Sequence, residues 1–273
     1  VTTSVNTRWD ELPAGVREAI ERYTGSVAAS SPGGQGRSTT VRLVLDTPSG
    51  SVFVKGVSPD AGDLSRARLA LGAALAPFVT ALSPPLLFRV QASGWDVTGW
   101  PALPGRQADL KPRSADIPKL VDLLAELSTI QAPADVPMRS VREDWGYFAD
   151  NPAVLDGNCL VHTDPHGGNF IVDRDRVWLL DWGWAMRGPA WMSAVRFILF
   201  LMEAGWKPSD AEQAVACVPA WVGTPPNVIS AHAVSSIRSW ERAARRQPGN
   251  DGLRRWLGLA RAWAEYRQHT ARF

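Results

Sequence analysis

The stretch from Leu160 to Asp181, LVHTDPHGGNFIVDRDRVWLLD, is compatible with few local structures. Phe170-Ile171-Val172 and Val177-Trp178-Leu179-Leu180 have the β-branched, aromatic and aliphatic content of strands. Asp173-Arg174-Asp175-Arg176 between them is too charged for anything but a solvated turn. The segment therefore reads as a hairpin with polar groups at its open end. With Val172 paired to Trp178, the antiparallel register sets Asn169 opposite Asp181, about 5 Å apart between α-carbons. An amide oxygen beside a carboxylate suits a hard cation such as Mg²⁺, which takes one or two carboxylate-type ligands together with substrate phosphates. Asp164, five residues before Asn169, falls on the loop entering the hairpin.

The chain around this hairpin changes character once. Asp10 to Tyr23 carries Leu12, Val16, Ile20 and Tyr23 at helical spacing. Strand-like segments follow at Ser26–Ser30, Thr39–Asp46 and Ser51–Val57, then an Ala/Leu/Arg-rich helix over Asp63–Leu82 and a strand over Leu86–Trp95. Val97 to Gly105, with glycine, tryptophan and two prolines, reads as a hinge. Beyond it helices dominate: Ile117–Gln131, Ala190–Ala204, Ser209–Trp221, Pro226–Arg246 and Leu253–Thr270. At 273 residues and 45% hydrophobic content the chain is long and apolar enough for one large or two ordinary domains. The pattern implies an α+β chain with a small β-rich part, residues 1–99, and a larger helical part, residues 100–273.

Composition narrows the function classes. A net charge of +2 without a basic run argues against nucleic-acid or membrane-surface binding. Cys159 and Cys217 have no C-x-x-C spacing, so neither a zinc site nor a disulfide framework is implied. The longest apolar stretch, Trp191 to Trp206, is interrupted by Arg196 and Glu203 and is too short to span a bilayer. With a polar start and no secretory pattern, the expected location is cytoplasmic.

Three groups of residues invite chemistry. Gly33, Gly34 and Gly36 lie between two strands, where glycines let backbone N–H groups approach anionic oxygens, although such a run alone is more often a plain hairpin loop. Lys55, at the end of an apolar strand that follows this loop, is placed to reach the same anion or else to face solvent. His162, Asp164 and His166 alternate as metal ligands on a strand would, but Pro165 and Gly167-Gly168 turn the segment into a loop and dissolve the shared face. His162 is then a buried organiser of the loop. Trp182, Trp184 and Trp191 are assigned to the core.

Glycine loop, strand lysine, hinge, then H-x-D-x-x-x-x-N and a hairpin ending on Asp is the order of parts used for phosphoryl transfer in the protein-kinase fold. The chain resembles the kinase-like small-molecule phosphotransferases, the aminoglycoside phosphotransferase superfamily. The motifs are His162-Thr163-Asp164-Pro165-His166-Gly167-Gly168-Asn169, Leu179-Leu180-Asp181-Trp182-Gly183 and, more loosely, Val52-Phe53-Val54-Lys55 and Leu103-Pro104-Gly105-Arg106. The resemblance implies a bilobal fold with a nucleotide-binding first lobe, ATP and Mg²⁺ as cofactors, and a hydroxylated small molecule as acceptor. It implies that Asp164 accepts or orients the acceptor's proton and that Asn169 and Asp181 hold Mg²⁺. Lys55 and the loop of Gly33, Gly34, Gly36 and Ser38 would meet the phosphates, and backbone groups from Trp100 to Ala102 the adenine.

Two positions depart from the family pattern. The family pairs the strand lysine with a glutamate on the next helix, yet Asp60 to Leu82 contains no Glu and carries Arg66 and Arg68. Lys55 without a carboxylate would suit a catalytically weak nucleotide-binding or regulatory module, the alternative to an enzyme. An aspartate common in the family is here Ser193. From Trp182 to Phe273 there are 12 Lys or Arg against 6 Asp or Glu. Such a region repels polycations, so the expected acceptor is neutral or anionic, with Arg238, Arg242, Arg245 and Arg246 as anion contacts or as a solvated helix face.

Overall fold

The structure is a computed structural model that describes residues 7–34, 39–174 and 176–270; Gly36 and Ser38 of the glycine loop lie outside the described residues. The chain divides into two compact units, residues 1–106 with 180–184, and residues 107–179 with 185–273.

The first unit is built on a five-stranded antiparallel sheet in the order β1-β2-β3-β5-β4, where β1 is Ala29–Pro32, β2 Val41–Thr47, β3 Gly50–Val57, β4 Phe88–Ala92 and β5 Trp95–Pro101. Alternation sets its faces. Val41, Leu43 and Leu45 of β2 and Val52 and Val54 of β3 point into a core closed by Leu12 and by Val16, Ala19 and Ile20 of helix α1 (Ala14–Thr24). Lys55 belongs to the other face of β3, opposite Arg42 and Thr98. Helix α2 covers Asp63–Leu75 and passes into a 3-10 turn, shorter than the sequence suggests. Val97–Pro101, read as part of a hinge, is the second half of β5: Val97 is fully buried, Val97 to Gly99 pair with both β3 and β4, and Trp100 and Pro101 pair with β3.

The chain leaves the first unit at β6 (Arg106–Gln107). In the second unit, β7 (Cys159–Val161) pairs with β10 (Met186–Gly188), and β8 (Phe170–Asp173) with β9 (Arg176–Leu179). The helices are α3 (Ile117–Leu127), α4 (Val141–Trp145), α5 (Met192–Glu203), α6 (Pro208–Ala214), α7 (Pro219–Val222), α8 (Pro226–Arg246) and α9 (Asp251–Thr270). The single helix expected over Ser209–Trp221 is two, because Pro219 has no N–H to continue a helix and instead opens α7. Ten of the twelve residues of α5 are buried, making it the central helix of this unit.

The β8–β9 ladder corrects the sequence reading by one residue. Its pairs are Phe170↔Leu179, Ile171↔Trp178, Val172↔Val177 and Asp173↔Arg176, rather than Val172 with Trp178. Phe170 and Leu179, both fully buried, face one another and fix the register, and a one-residue slip would turn one strand's apolar side outward. Asp173 and Arg176 therefore belong to the ladder, and Asn169 and Asp181 are not a cross-strand pair.

His232 on α8 is 5% exposed, with the rings of Trp191 at 5.3 Å and of Trp145 and Trp263 at 6.5 Å. Burial, aided by the charge of Arg196, pushes its pKa down to about 3. The folded state thus holds His232 neutral where the unfolded chain protonates it. The stability of the wild type relative to His232→Gln should be level above pH 6.5 and should fall on acidification toward pH 3, by up to about 1.4 kcal/mol per pH unit. Urea unfolding at several pH values measures this, and parallel profiles for the two proteins would contradict it.

Candidate active site

In the first unit, Lys55 Nζ lies 3.1 Å from Asp181 Oδ1. The strand lysine therefore has a carboxylate partner, supplied by the end of the hairpin segment rather than by α2. Asp181 has φ of +65°, in the left-handed region that a non-glycine residue seldom occupies, and the chain turns sharply there. The residues after it are anchored on α2 and the segment following it. The Trp182 indole donates to Ser83 Oγ at 2.7 Å in a buried bond. Gly183 lies so close to Arg68 that an added Cβ would be 3.0 Å from its carbonyl oxygen. The Arg68 guanidinium is 3.1 Å from the Trp184 ring centroid, a cation–π contact. Arg68 is held below its ordinary basicity by burial, and the charge of Asp181 opposes that shift. Asp181 is thus close to two cations, with Lys55 hydrogen-bonded to it.

Arg66, the other arginine of α2, donates to the carbonyls of Ser58, Pro59 and Gly94 and ties the start of the helix to the neighbouring turns. Gly33 packs where no side chain fits, since a Cβ there would be 2.7 Å from the Phe53 ring and 3.0 Å from the backbone nitrogen of Leu43. Gly34 has φ of +87°. Trp100 donates its indole N–H to Thr98 Oγ1, and Ala102 donates its backbone N–H to Ser51 O.

In the second unit, β7 delivers the chain to the loop His162–Asn169, whose backbone is held from several directions. The His162 N–H donates to Ser193 Oγ at 3.1 Å. Arg196 Nε donates to Thr163 O at 2.8 Å. Asn169 Nδ2 donates to Asp164 O at 2.8 Å, which leaves the amide oxygen as that side chain's ligand atom. The His166 backbone N–H also donates to Asp164 O, and His166 Nδ1 accepts from Gly168 N. Held this way, the Asp164 carboxylate stays 38% exposed, with His166 Nε2 at 3.7 Å.

Pro165 and a 3-10 turn over Gly167–Asn169 end any strand alternation. Among the described residues, no three His, Cys, Asp or Glu side chains form a metal-binding group. Trp182 and Trp191 are core residues as expected, whereas Trp184 is 43% exposed beneath Arg68.

Sequence reasoning missed Arg196. It registered only as a break in an apolar run, yet its guanidinium reaches the loop next to Asp164. Burial lowers its basicity and the charge of Asp164 counters this. A single cation inside an otherwise apolar helix was the available signal.

Searched by sequence, the chain matches no protein-family model and no curated protein. Solved structures match its fold. A choline kinase from Streptococcus pneumoniae is 14% identical, with 92% of this chain and 98% of that chain covered and a TM-score of 0.62. An aminoglycoside phosphotransferase from Alicyclobacillus acidocaldarius is 12% identical over 94% of each chain, at 0.61. A thermostable aminoglycoside phosphotransferase variant, in a ternary complex with ADP and hygromycin B, is 14% identical, with 91% and 99% covered, at 0.55. The chain therefore has the fold of the kinase-like small-molecule phosphotransferases, as the resemblance implied.

Replacing Ser193 with Ala leaves the buried His162 N–H without its acceptor. The expected loss is about 1–3 kcal/mol of unfolding free energy, with Ser193→Asp restoring part of it. Equal denaturation midpoints for wild type and Ser193→Ala would show that this bond does not hold the loop.

Proposed function

We propose that this chain is an ATP-dependent O-phosphotransferase that moves the γ-phosphoryl group to a hydroxyl of a small molecule. The observation that carries the proposal is the loop: the Asp164 backbone is fixed by Asn169 and its neighbours while its carboxylate remains open to a substrate. In this reading the acceptor oxygen attacks the γ-phosphorus, the bond from that phosphorus to the bridging oxygen of ADP breaks, and the acceptor's proton passes to Asp164. Little covalent work falls to the protein, so positioning and charge neutralisation are what its side chains supply.

Lys55 is the candidate contact of the nucleotide phosphates, and its pairing with Asp181 removes the argument that it lacks a carboxylate. Gly33 and Gly34 carry the described part of the candidate phosphate loop, with Gly36 and Ser38 beyond it. The Trp100–Ala102 strand end is the candidate adenine edge. Asp181 and Asn169 are the candidate Mg²⁺ ligands of this reading: each side chain by itself offers a hard oxygen, and the Asn169 amide nitrogen is already committed to Asp164 O. When bound there, the cation would neutralise phosphate charge. Nucleotide binding is also supported by the related folds, among which an aminoglycoside phosphotransferase variant binds ADP.

The acceptor in this reading is neutral or anionic, in an antibiotic-resistance or self-protection role. Arg238, Arg242, Arg245 and Arg246 line one groove of about 390 Å³ with Tyr147 and Phe148. Arg238 is committed there to Asp150 and to the carbonyl of Phe148, whereas Arg242 lies 5.0 Å from the Tyr147 ring centroid.

Purified protein given Mg-ATP and a panel of hydroxylated antibiotics and metabolites should yield a phosphorylated product, and Asp164→Asn should lower its rate by about a hundredfold or more. Undiminished turnover in that variant would remove Asp164 from its role. Polycationic aminoglycosides should be the poorest acceptors of the panel; if their kcat/KM equals that of neutral or anionic members, the charge argument fails.

A further inference from the structure

Arg196 is the residue of the second unit whose charge is least accounted for. It projects from α5, the most buried helix of that unit. Its Nε is bonded to Thr163 O, and its guanidinium lies 5.6–5.9 Å from the ring centroids of Trp145, Phe200 and Trp256. Among the described residues, no carboxylate forms an ion pair with it. Asp164 acts on it through space without a hydrogen bond. Arg196 is half-buried, and a partly desolvated guanidinium without a hydrogen-bonded anion favours an anionic ligand.

Arg196 forms part of the wall of a cavity of about 120 Å³. Trp145 and Trp240 supply aromatic wall, and His232, Ser236 and Ser239 line it from α8. The volume approaches the ~150 Å³ of an engineered cavity that binds benzene, enough for a few heavy atoms. His232 adds a second incomplete polar group. Ser236 Oγ donates to His232 O at 3.0 Å, so at 3.3 Å from Nε2 it can only accept. The ring proton is therefore on Nε2, and Nδ1 is a buried acceptor without a hydrogen bond. The lining thus sets one cation among aromatic rings and serine hydroxyls, which matches a ligand with a single negative charge. A phosphate dianion would outnumber the cavity's one guanidinium.

We propose that this cavity binds the carboxylate end of a small hydroxylated acid, and that Arg196, which joins the cavity to the backbone beside Asp164, makes the cavity the acceptor subsite for a hydroxy-carboxylate. Its role as an acceptor subsite rests on the phosphotransferase reading above; anion binding in the cavity does not. Arg196 would discriminate by charge-assisted hydrogen bonds to the carboxylate.

The test uses glycolate and its neutral counterpart ethylene glycol, at ionic strength matched with sodium chloride. The readout is the indole N–H resonances of Trp145 and Trp240 in the full chain, assigned with Trp145→Phe and Trp240→Phe. Glycolate should shift them saturably and bind at least about tenfold tighter than ethylene glycol. Arg196→Gln should erase that preference, and Arg196→Lys should retain part of it. If Arg196→Gln does not fold, Ser239→Phe, which fills the cavity from a half-buried position, should abolish the shifts. Equal response to the two probes, or an unchanged preference in Arg196→Gln or Ser239→Phe, would overturn the proposal. Glycolate binding without phosphoryl transfer to any acceptor would sink the phosphotransferase reading and spare the anion site. Transfer to neutral acceptors with no glycolate preference would do the reverse.

Discussion

The second unit depends on how the backbone from His162 to Asn169 is held, because Asp164 has no fixed position without it. A loop that follows a three-residue strand has too few ladder bonds to be rigid. The missing partners come from side chains: Ser193 takes the His162 N–H, Arg196 caps the Thr163 carbonyl, and Asn169 caps that of Asp164. Two of these three stand on α5, three residues apart and so on one face of the helix. The most buried helix of the unit thus holds the loop that carries Asp164. Ser193 fills the acceptor role with a short, neutral group.

In the first unit the same logic operates on charge. Asp181 turns with a left-handed backbone, bonds Lys55 and lies within the field of Arg68, while Trp182, Gly183 and Trp184 fasten the following residues. Helix α2 therefore contributes a stacked cation, and the lysine is aimed by the residue proposed to bind metal. Under the proposed function, a nucleotide with its cation would compete with Lys55 for that carboxylate.

Much of this was legible in the sequence where the signal is local. Alternation in Val41–Thr47 and Gly50–Val57 gives the sheet faces, and α8 begins and ends where its apolar period does, at Pro226 and Arg246. The spacing of Asp164 and Asn169 marked the loop. What was not legible depends on partners distant in sequence. Lys55 finds Asp181 across 126 positions, which no scan of the adjacent helix reveals. The hairpin register turned on which of two neighbouring leucines, Leu179 or Leu180, faces Phe170, and both fit a strand pattern. Arg196 looked like an interruption because the carbonyl it caps belongs to a loop 33 residues earlier.

The central claim is that the acceptor's own oxygen attacks the γ-phosphorus. It is tested most directly with ATP labelled with ¹⁸O at all its γ-phosphoryl oxygens other than the one bridging to ADP, the product being read by mass spectrometry. The account predicts a phosphorylated acceptor that carries all three labelled oxygens and keeps its original hydroxyl oxygen as the bridge. Labelled inorganic phosphate alone, with no labelled phosphoryl group on any acceptor, would contradict it.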